Sequence, residues 1–270
     1  MATITASMVN ELRAKTGLAM MECKKMLVET DGNIEKAIEA FRKKGVKTSI
    51  TERAATEGRV TAVTSKDQKT AAIVEINCNT DFTAKSDTLA KVLDTAANKL
   101  LGNPSIKLED DADIKAALAD ASKVTGENVV LGRSAVLSGD AVGSYLYSTA
   151  GKGKIGVIVA INNNALSEAL VSQLGMHIAA ARPMAHRRED LPADVIAKER
   201  EIAVEQAKAT GKPQAIAEKI AEGKLNAFYN EKVLLDQDYI NADAFKGKVS
   251  ELLKSKGAIL ERYVRIEVGQ

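Results

Sequence analysis

Ile73-Val74-Glu75-Ile76-Asn77-Cys78-Asn79 is the stretch that organises this chain, because it returns as Ile158-Val159-Ala160-Ile161-Asn162-Asn163-Asn164. Each run is short, apolar and rich in β-branched residues, the pattern of a buried strand. Each is preceded by a hairpin pattern, Gly58 to Thr70 in the first copy and Gly143 to Lys154 in the second. Each is followed by a helical stretch, roughly 85–101 and 167–181. Strand, turn, strand, helix therefore occurs twice. The fold class expected is α+β: two related subdomains built on hairpins, hence on antiparallel sheets. A helical segment, Leu108–Val124, lies between the copies.

Working outward, the first repeat ends in Asn79-Thr80-Asp81-Phe82-Thr83, between the strand and its helix. This sets a carboxylate beside a ring on a connecting loop. Read from residue types alone, Asp81 caps the next helix and Phe82 packs into the core. The sharper alternative is an exposed functional pair.

Residues 6–44 read as three short helices. Met8, Val9 and Leu12 give the apolar side of the first, and Gly17 allows the chain to turn. The second runs from about Ala19 to Thr30. Asp31-Gly32-Asn33 forms a turn, with Asn33 as N-cap of the third. Ile34, Ala37, Ile38 and Phe41 recur at helical spacing, and Gly45 stops the helix. The core face of the second helix is Ala19, Cys23, Met26 and Leu27. Met21 points nearly opposite that face and Met20 lies at its flank. Both methionines are either ordinary exposed residues or part of an adaptable partner surface. A unit this small suits docking better than catalysis.

From Asp190 to Tyr229 the composition shifts to Ala, Glu, Lys and Ile. Pro192 suits a first helical turn. Val195, Ile196, Ile202 and Ala203 recur near a seven-residue spacing. Thr210-Gly211-Lys212-Pro213 breaks the helix, and Ile216, Ala217, Ile220 and Ala221 begin another. This predicts an antiparallel helical hairpin with charged outer faces. Beyond it, Val233–Ile240 and Tyr263–Val268 have strand character and are expected to rejoin the second repeat.

Composition narrows the function. The formal net charge of +2 gives the whole chain no strong pull on nucleic acid or membrane. Aromatics make up 3% and Trp is absent, which argues against stacking on bases. No apolar run reaches the ~18 residues of a membrane span. No basic region followed by an apolar stretch marks residues 1–7 as a secretory signal, so the expected location is cytoplasmic. Cys23 and Cys78 both lie in apolar runs and are expected to be buried thiols. Catalytic signatures fail. Between Gly126 and Gly132 stand Glu127-Asn128-Val129-Val130-Leu131, one residue too many for a phosphate loop, and Arg133 replaces the required Lys. Gly151-Lys152-Gly153-Lys154 reads as a hairpin turn. His177 and His186 are the only histidines, and no Cys/His set has metal-ligand spacing. No Ser/His/Asp arrangement stands out. The expectation is a binding or regulatory protein, not an enzyme, with no cofactor and no metal.

Two long motifs then carry a resemblance. Leu12-Arg13-Ala14-Lys15-Thr16-Gly17-Leu18-Ala19-Met20-Met21-Glu22-Cys23-Lys24-Lys25 resembles the head-domain signature of the elongation factor Ts family, and Asn77-Cys78-Asn79-Thr80-Asp81-Phe82 resembles its second signature. Gly126-Glu127-Asn128-Val129, Met176-His177-Ile178-Ala179-Ala180 and Arg265-Ile266-Glu267-Val268-Gly269 also fit, in order along the chain. The resemblance implies a ubiquitin-associated-like three-helix head with its linker (1–55), a first core subdomain (56–142), a second (143–189 and 230–270) and an inserted helical hairpin (190–229). It implies a role in translation elongation: guanine-nucleotide exchange on elongation factor Tu, by disturbing that partner's magnesium and phosphate site. Arg13, Met20, Met21 and His177 become expected contacts with the partner. Thr80, Asp81, Phe82 and Thr83 become the exchange wedge, with Phe82 as its apolar part and Asp81 as local negative charge. The chain departs from the family at Thr83, where an aliphatic residue is usual, and at Asp238 and Tyr239, where Pro and Phe are more frequent. The competing class is a generic protein-interaction module built on the three-helix head.

Overall fold

The computed structural model describes residues 4–44, 54–162, 168–209, 211 and 213–270 of the 270. Three helices come first, α1 (Ala6–Thr16), α2 (Met20–Glu29) and α3 (Ile34–Lys43). Their ends follow local chemistry. Thr5 Oγ1 accepts from the Met8 N–H, and Asn33 Oδ1 accepts from the Lys36 N–H at 2.9 Å. Gly17 closes α1 in the left-handed region (φ +61°), its N–H donating to the Arg13 carbonyl at 2.6 Å. Leu12, Cys23, Met26, Leu27, Ala37 and Phe41 fill the core between the three. Ala19, expected on that core face, is exposed, because it is the N-cap of α2 and precedes the first helical turn. Gly45, the expected stop of α3, lies outside the described residues.

The opening motif is the middle strand of a sheet. β1 (Glu57–Thr64), β2 (Thr70–Cys78) and β3 (Val130–Ser138) pair antiparallel in the order β1-β2-β3. Its echo is the middle strand of a second antiparallel sheet, β4 (Ala141–Thr149), β5 (Lys152–Asn162) and β6 (Ile259–Glu267). The mixture of helices with antiparallel sheets is the expected α+β class. Ala72, Val74, Ile76 and Cys78 face a helical layer made by α5 (Asp87–Gly102) and α6 (Ala112–Thr125), against Leu89, Leu93, Ala96 and Ile114. Ala71 and Ile73 face the other way and meet Val142, Ile158, Ala160 and Ile266 of the second sheet. Val157, Val159 and Ile161 in turn face α7 (Glu168–Ala181), together with Leu174 and Ile178. Both central strands are thus covered on both faces. That is why each reads as a continuous apolar run rather than as an alternating one.

The arm is a helical hairpin of α8 (Ala193–Lys208) and α9 (Gln214–Lys232). Its seam is made of alanines, Ala203, Ala207, Ala217 and Ala221, with Val204 and Ile220 at the side. Ile202 and Ile216 face solvent. Thr210 and Lys212 of the expected break lie outside the described residues, as do Asn163, Asn164 and Ser167 of the second repeat.

Val233–Ile240 is not a strand. Leu234–Asp236 forms a 3-10 turn flanked by two isolated bridges, Ala185 with Val233 and Asp238 with Lys248. The side chains here bind loop and helix-end groups instead of a neighbouring strand: Asp236 pairs with Arg188, and Gln237 donates to the carbonyls of Ala181 and Glu231. A short helix, α10 (Val249–Ser255), then leads into β6. Cys23 and Cys78 are both free and buried, as expected. No helix among the described residues is long and apolar enough to cross a membrane.

Candidate functional site

The loop after β2 is held from several sides. Cys78 Sγ donates to the Thr80 carbonyl at 3.3 Å, and burial, followed by the nearby Glu127 charge, pushes the thiol up to about 12. Asn79 Oδ1 accepts from the Asn128 N–H at 2.8 Å, while its Nδ2 donates to the Ala54 carbonyl at 2.9 Å. The Glu127 carboxylate accepts from the Asn79 and Thr80 N–H groups at 3.0 Å each, and from the Thr80 hydroxyl. One carboxylate with three donors is a strong, directional clamp.

Thr80 then starts a five-residue helix, α4 (Asp81–Lys85), by accepting from the Thr83 N–H at 3.3 Å. The cap is therefore Thr80 and not Asp81, which sits one residue later in the first turn. On so short a helix the inner side is Thr83 and Ala84, both buried. Phe82 falls on the outer side and is 88% exposed. The core position read for Phe82 from residue types is thus corrected. Thr83, expected within the wedge, faces inward.

Asp81 is half exposed and paired with both Lys85 and Lys152. Hydrogen bonds from Lys152 and then Lys85 hold its carboxyl at about 2, well below the usual carboxylate range. Lys152 is only 5% exposed, and its ammonium also donates to Glu57 Oε2 at 3.1 Å. Burial alone lowers the Lys152 pKa, but the contacts with Asp81 and Glu57 outweigh it and leave it raised.

The remaining candidates lie on other elements, α7, α2 and α1. His177 on α7 is 1% exposed, so it presents no surface of its own. Its Nδ1 accepts from the Ile240 N–H at 3.2 Å, which leaves Nε2–H to donate to Gln237 Oε1 at 3.0 Å. Its ring stacks on buried Tyr239 at 5.7 Å. Burial holds the imidazole below its ordinary pKa, against the opposing hydrogen bond to Gln237. In the free chain His177 anchors the 237–240 turn, whose exposed apolar residue is Ile240. On α2, Met20 and Met21 are exposed with Val28, and Met21 and Val28 line one shallow groove with Lys24 and Lys25. Arg13 on α1 is exposed and lines a different hollow, with Ser122, Val124 and Gly126 from the end of α6. Among the described residues no group of three His, Cys, Asp or Glu side chains is placed to hold a metal.

The family model described as Elongation factor TS matches residues 79–270, from the clamped loop to the end of the chain. The elongation factor Ts of Methylococcus capsulatus is 41% identical, over 99% of this chain and 93% of that protein. That of Pasteurella multocida is 42% identical over 100% and 93%, and that of Legionella pneumophila strain Paris 39% over 100% and 94%. The chain belongs to the elongation factor Ts family.

Within this elongation factor Ts family member, two site residues escaped the sequence reading. Glu127 stands in a segment that fails as a phosphate loop. Gly126 ends α6 in the left-handed region (φ +68°) and so turns Glu127 under the Asn79–Thr80 backbone. Lys152 stands in what reads as a hairpin turn. The turn itself is Ala150 and Gly151, and Lys152 already belongs to β5. The only signal available was a lysine opening a strand that is otherwise apolar.

Proposed function

We propose that this chain is a guanine-nucleotide exchange factor for elongation factor Tu in translation elongation, working in the cytoplasm without covalent chemistry. The observation that carries the reading is Phe82: a large apolar ring, 88% exposed, on a turn clamped by Glu127, Thr80 and Lys152. A ring left in water on a rigid base is suited to insertion into a partner. A GTPase holds GDP through magnesium and backbone donors around the phosphates. A protein that binds the empty GTPase better than the loaded one must weaken nucleotide binding by the same factor. Phe82, entering beside the magnesium site, moves the groups that hold the metal. Asp81 faces two lysines, so the ring rather than free negative charge is the agent.

In this reading the three N-terminal helices form a ubiquitin-associated-like head that docks on the GTPase domain through Met20, Met21 and Arg13. The two sheets are the repeated core subdomains, and His177 sets the shape of a second contact around Ile240. Relatives bearing the name Elongation factor Ts over nearly the full length support the assignment. The test is release of labelled GDP from elongation factor Tu. An off-rate unchanged at saturating concentrations of this chain refutes it. A generic interaction module would bind through the head groove yet leave that rate alone.

A further inference from the structure

Lys152 belongs to the second sheet, yet its charged end lies at the base of the Phe82 turn in the first. A lysine that is 5% exposed is held there by its partners. Those partners are Glu57, which opens β1, and Asp81, which opens α4. The backbone is arranged to permit the reach. A Cβ on the next residue, Gly153, would sit 2.0 Å from the Val60 carbonyl oxygen of β1. Only glycine lets β5 lie this close to β1. With Lys85 included, the two ammonium groups and two carboxylates of the cluster cancel in charge.

We propose that Lys152 is a positioning residue for the exchange wedge. By holding Asp81 it fixes the direction in which Phe82 leaves α4, and it ties that direction to the packing of one sheet on the other. The proposal rests on the exchange reading above. A helix of five residues cannot hold its own geometry. The Thr80 cap and the Glu127 clamp fix where its backbone starts. Burial of Thr83 and Ala84 sets which side of the turn faces inward, and Asp81 is the charged neighbour of Phe82 that is tied down at the outer side. The Lys85 pair is a solvent-exposed contact one helical turn away, the weak kind. The buried, immobile partner is Lys152.

This reading and one in which Asp81 acts as free charge on the partner's metal site differ in sign. If Asp81 acts as free charge, removing Lys152 unmasks it and preserves or raises exchange. If Lys152 positions the wedge, its removal slows exchange as much as removing the Asp81 charge. The experiment compares the full chain with Lys152→Met, Lys152→Arg, Asp81→Asn and the Lys152→Met/Asp81→Asn double variant. Release of labelled GDP from elongation factor Tu at saturating factor is measured beside affinity for the nucleotide-free GTPase. Loss of one charge-assisted contact predicts a saturating rate about three- to tenfold lower for Lys152→Met and for Asp81→Asn. The double variant is no slower than either single one, Lys152→Arg recovers part of the rate, and affinity changes less than the rate does. Asp81→Asn keeps the side chain's shape and leaves Lys152 its Glu57 contact, and a melting temperature taken for each variant separates loss of the contact from loss of the fold. A full or raised rate for Lys152→Met, or additive losses in the double variant, overturns the proposal. An unmodified chain that leaves GDP release unchanged refutes the exchange reading itself, a result distinguishable from either.

Discussion

Replacing Phe82 by Ala tests the proposed exchange reading at one side chain that lies outside the core. The ring is 88% exposed, so its removal takes almost no buried surface from the folded chain. The expected change in stability is within about 0.5 kcal/mol, as for an ordinary surface substitution. Docking is different. Full burial of a Phe side chain contributes about 1.5–3 kcal/mol, and nearly all of that is still available in the free protein. Allowing for the methyl group that Ala keeps, about 1.5–2.5 kcal/mol is at stake, equivalent to roughly ten- to seventyfold. Where that energy goes decides what the variant loses. If it drives the metal's ligands out of place, the loss falls on the rate of GDP release at saturation and less on affinity for the empty GTPase. Stopped-flow release of a fluorescent GDP over a range of factor concentrations gives the maximal rate. A separate titration of nucleotide-free elongation factor Tu gives the affinity. A Phe82→Ala protein that binds more weakly but still reaches the full rate would show the ring to be only an anchor. A melting temperature lowered by many degrees would refute the premise that the ring lies outside the core.

Three further outcomes are expected. Met21→Asp leaves the melting temperature nearly unchanged, since Met21 is 73% exposed, but weakens the complex by on the order of a few kcal/mol through a charge buried at the contact; unfolding of the head would refute the assigned helical face. Gly153→Ala forces β5 away from the Val60 carbonyl and costs about 1–3 kcal/mol of stability, read as a lower urea midpoint; an unshifted midpoint would contradict the close approach of the two sheets. Burial holds His177 below its ordinary pKa, with its Gln237 hydrogen bond acting the other way, so the unfolded chain binds the proton more readily than the folded one. Its contribution is therefore complete above the unfolded value near 6.5 and declines as pH falls below it. Urea midpoints between pH 7 and 5.5 should fall more steeply for the parent than for His177→Gln, and equal slopes would count against the buried neutral imidazole.

Much of the architecture is legible because burial leaves a periodic record. The doubled apolar run marks the two central strands, and the three-helix spacing marks the head. What was not legible depends on contacts between distant segments. β3 is an edge strand with mixed exposure, so Val130–Ser138 carries no strong pattern. Val233–Ile240 has strand-like residues, but its conformation is decided in part by Arg188 and Ala181, both remote in sequence. The same limit applies to the site. A Phe next to a buried strand belongs to the core on any residue scale, and only the phase of a five-residue helix turns it outward. Glu127 and Lys152 act on the Asn79–Asp81 backbone and side chains from positions remote in sequence. Glu127 meets the loop within the first sheet's unit, and Lys152 meets it only where the second sheet packs on the first.

An outward Phe82 also raises the question of what keeps it there. Collapse of the ring onto apolar surface would gain part of the 1.5–3 kcal/mol or so that its exposure forgoes. α4 is too short to resist such a rearrangement alone. The resistance comes from the ends of four other elements: Glu127 beyond α6 on the backbone of Asn79 and Thr80, Cys78 at the end of β2, Glu57 at the start of β1 and Lys152 at the start of β5. Turning the ring inward would break the Glu127 clamp and leave Lys152 buried with one partner fewer, a larger penalty than the burial gained. The cost of presenting an exposed ring is thus met during folding, by charges and hydrogen bonds that the ring itself does not make. On the proposed exchange reading, little further ordering is needed when Phe82 meets its partner, and more of its burial energy is free to act on the other side of the contact.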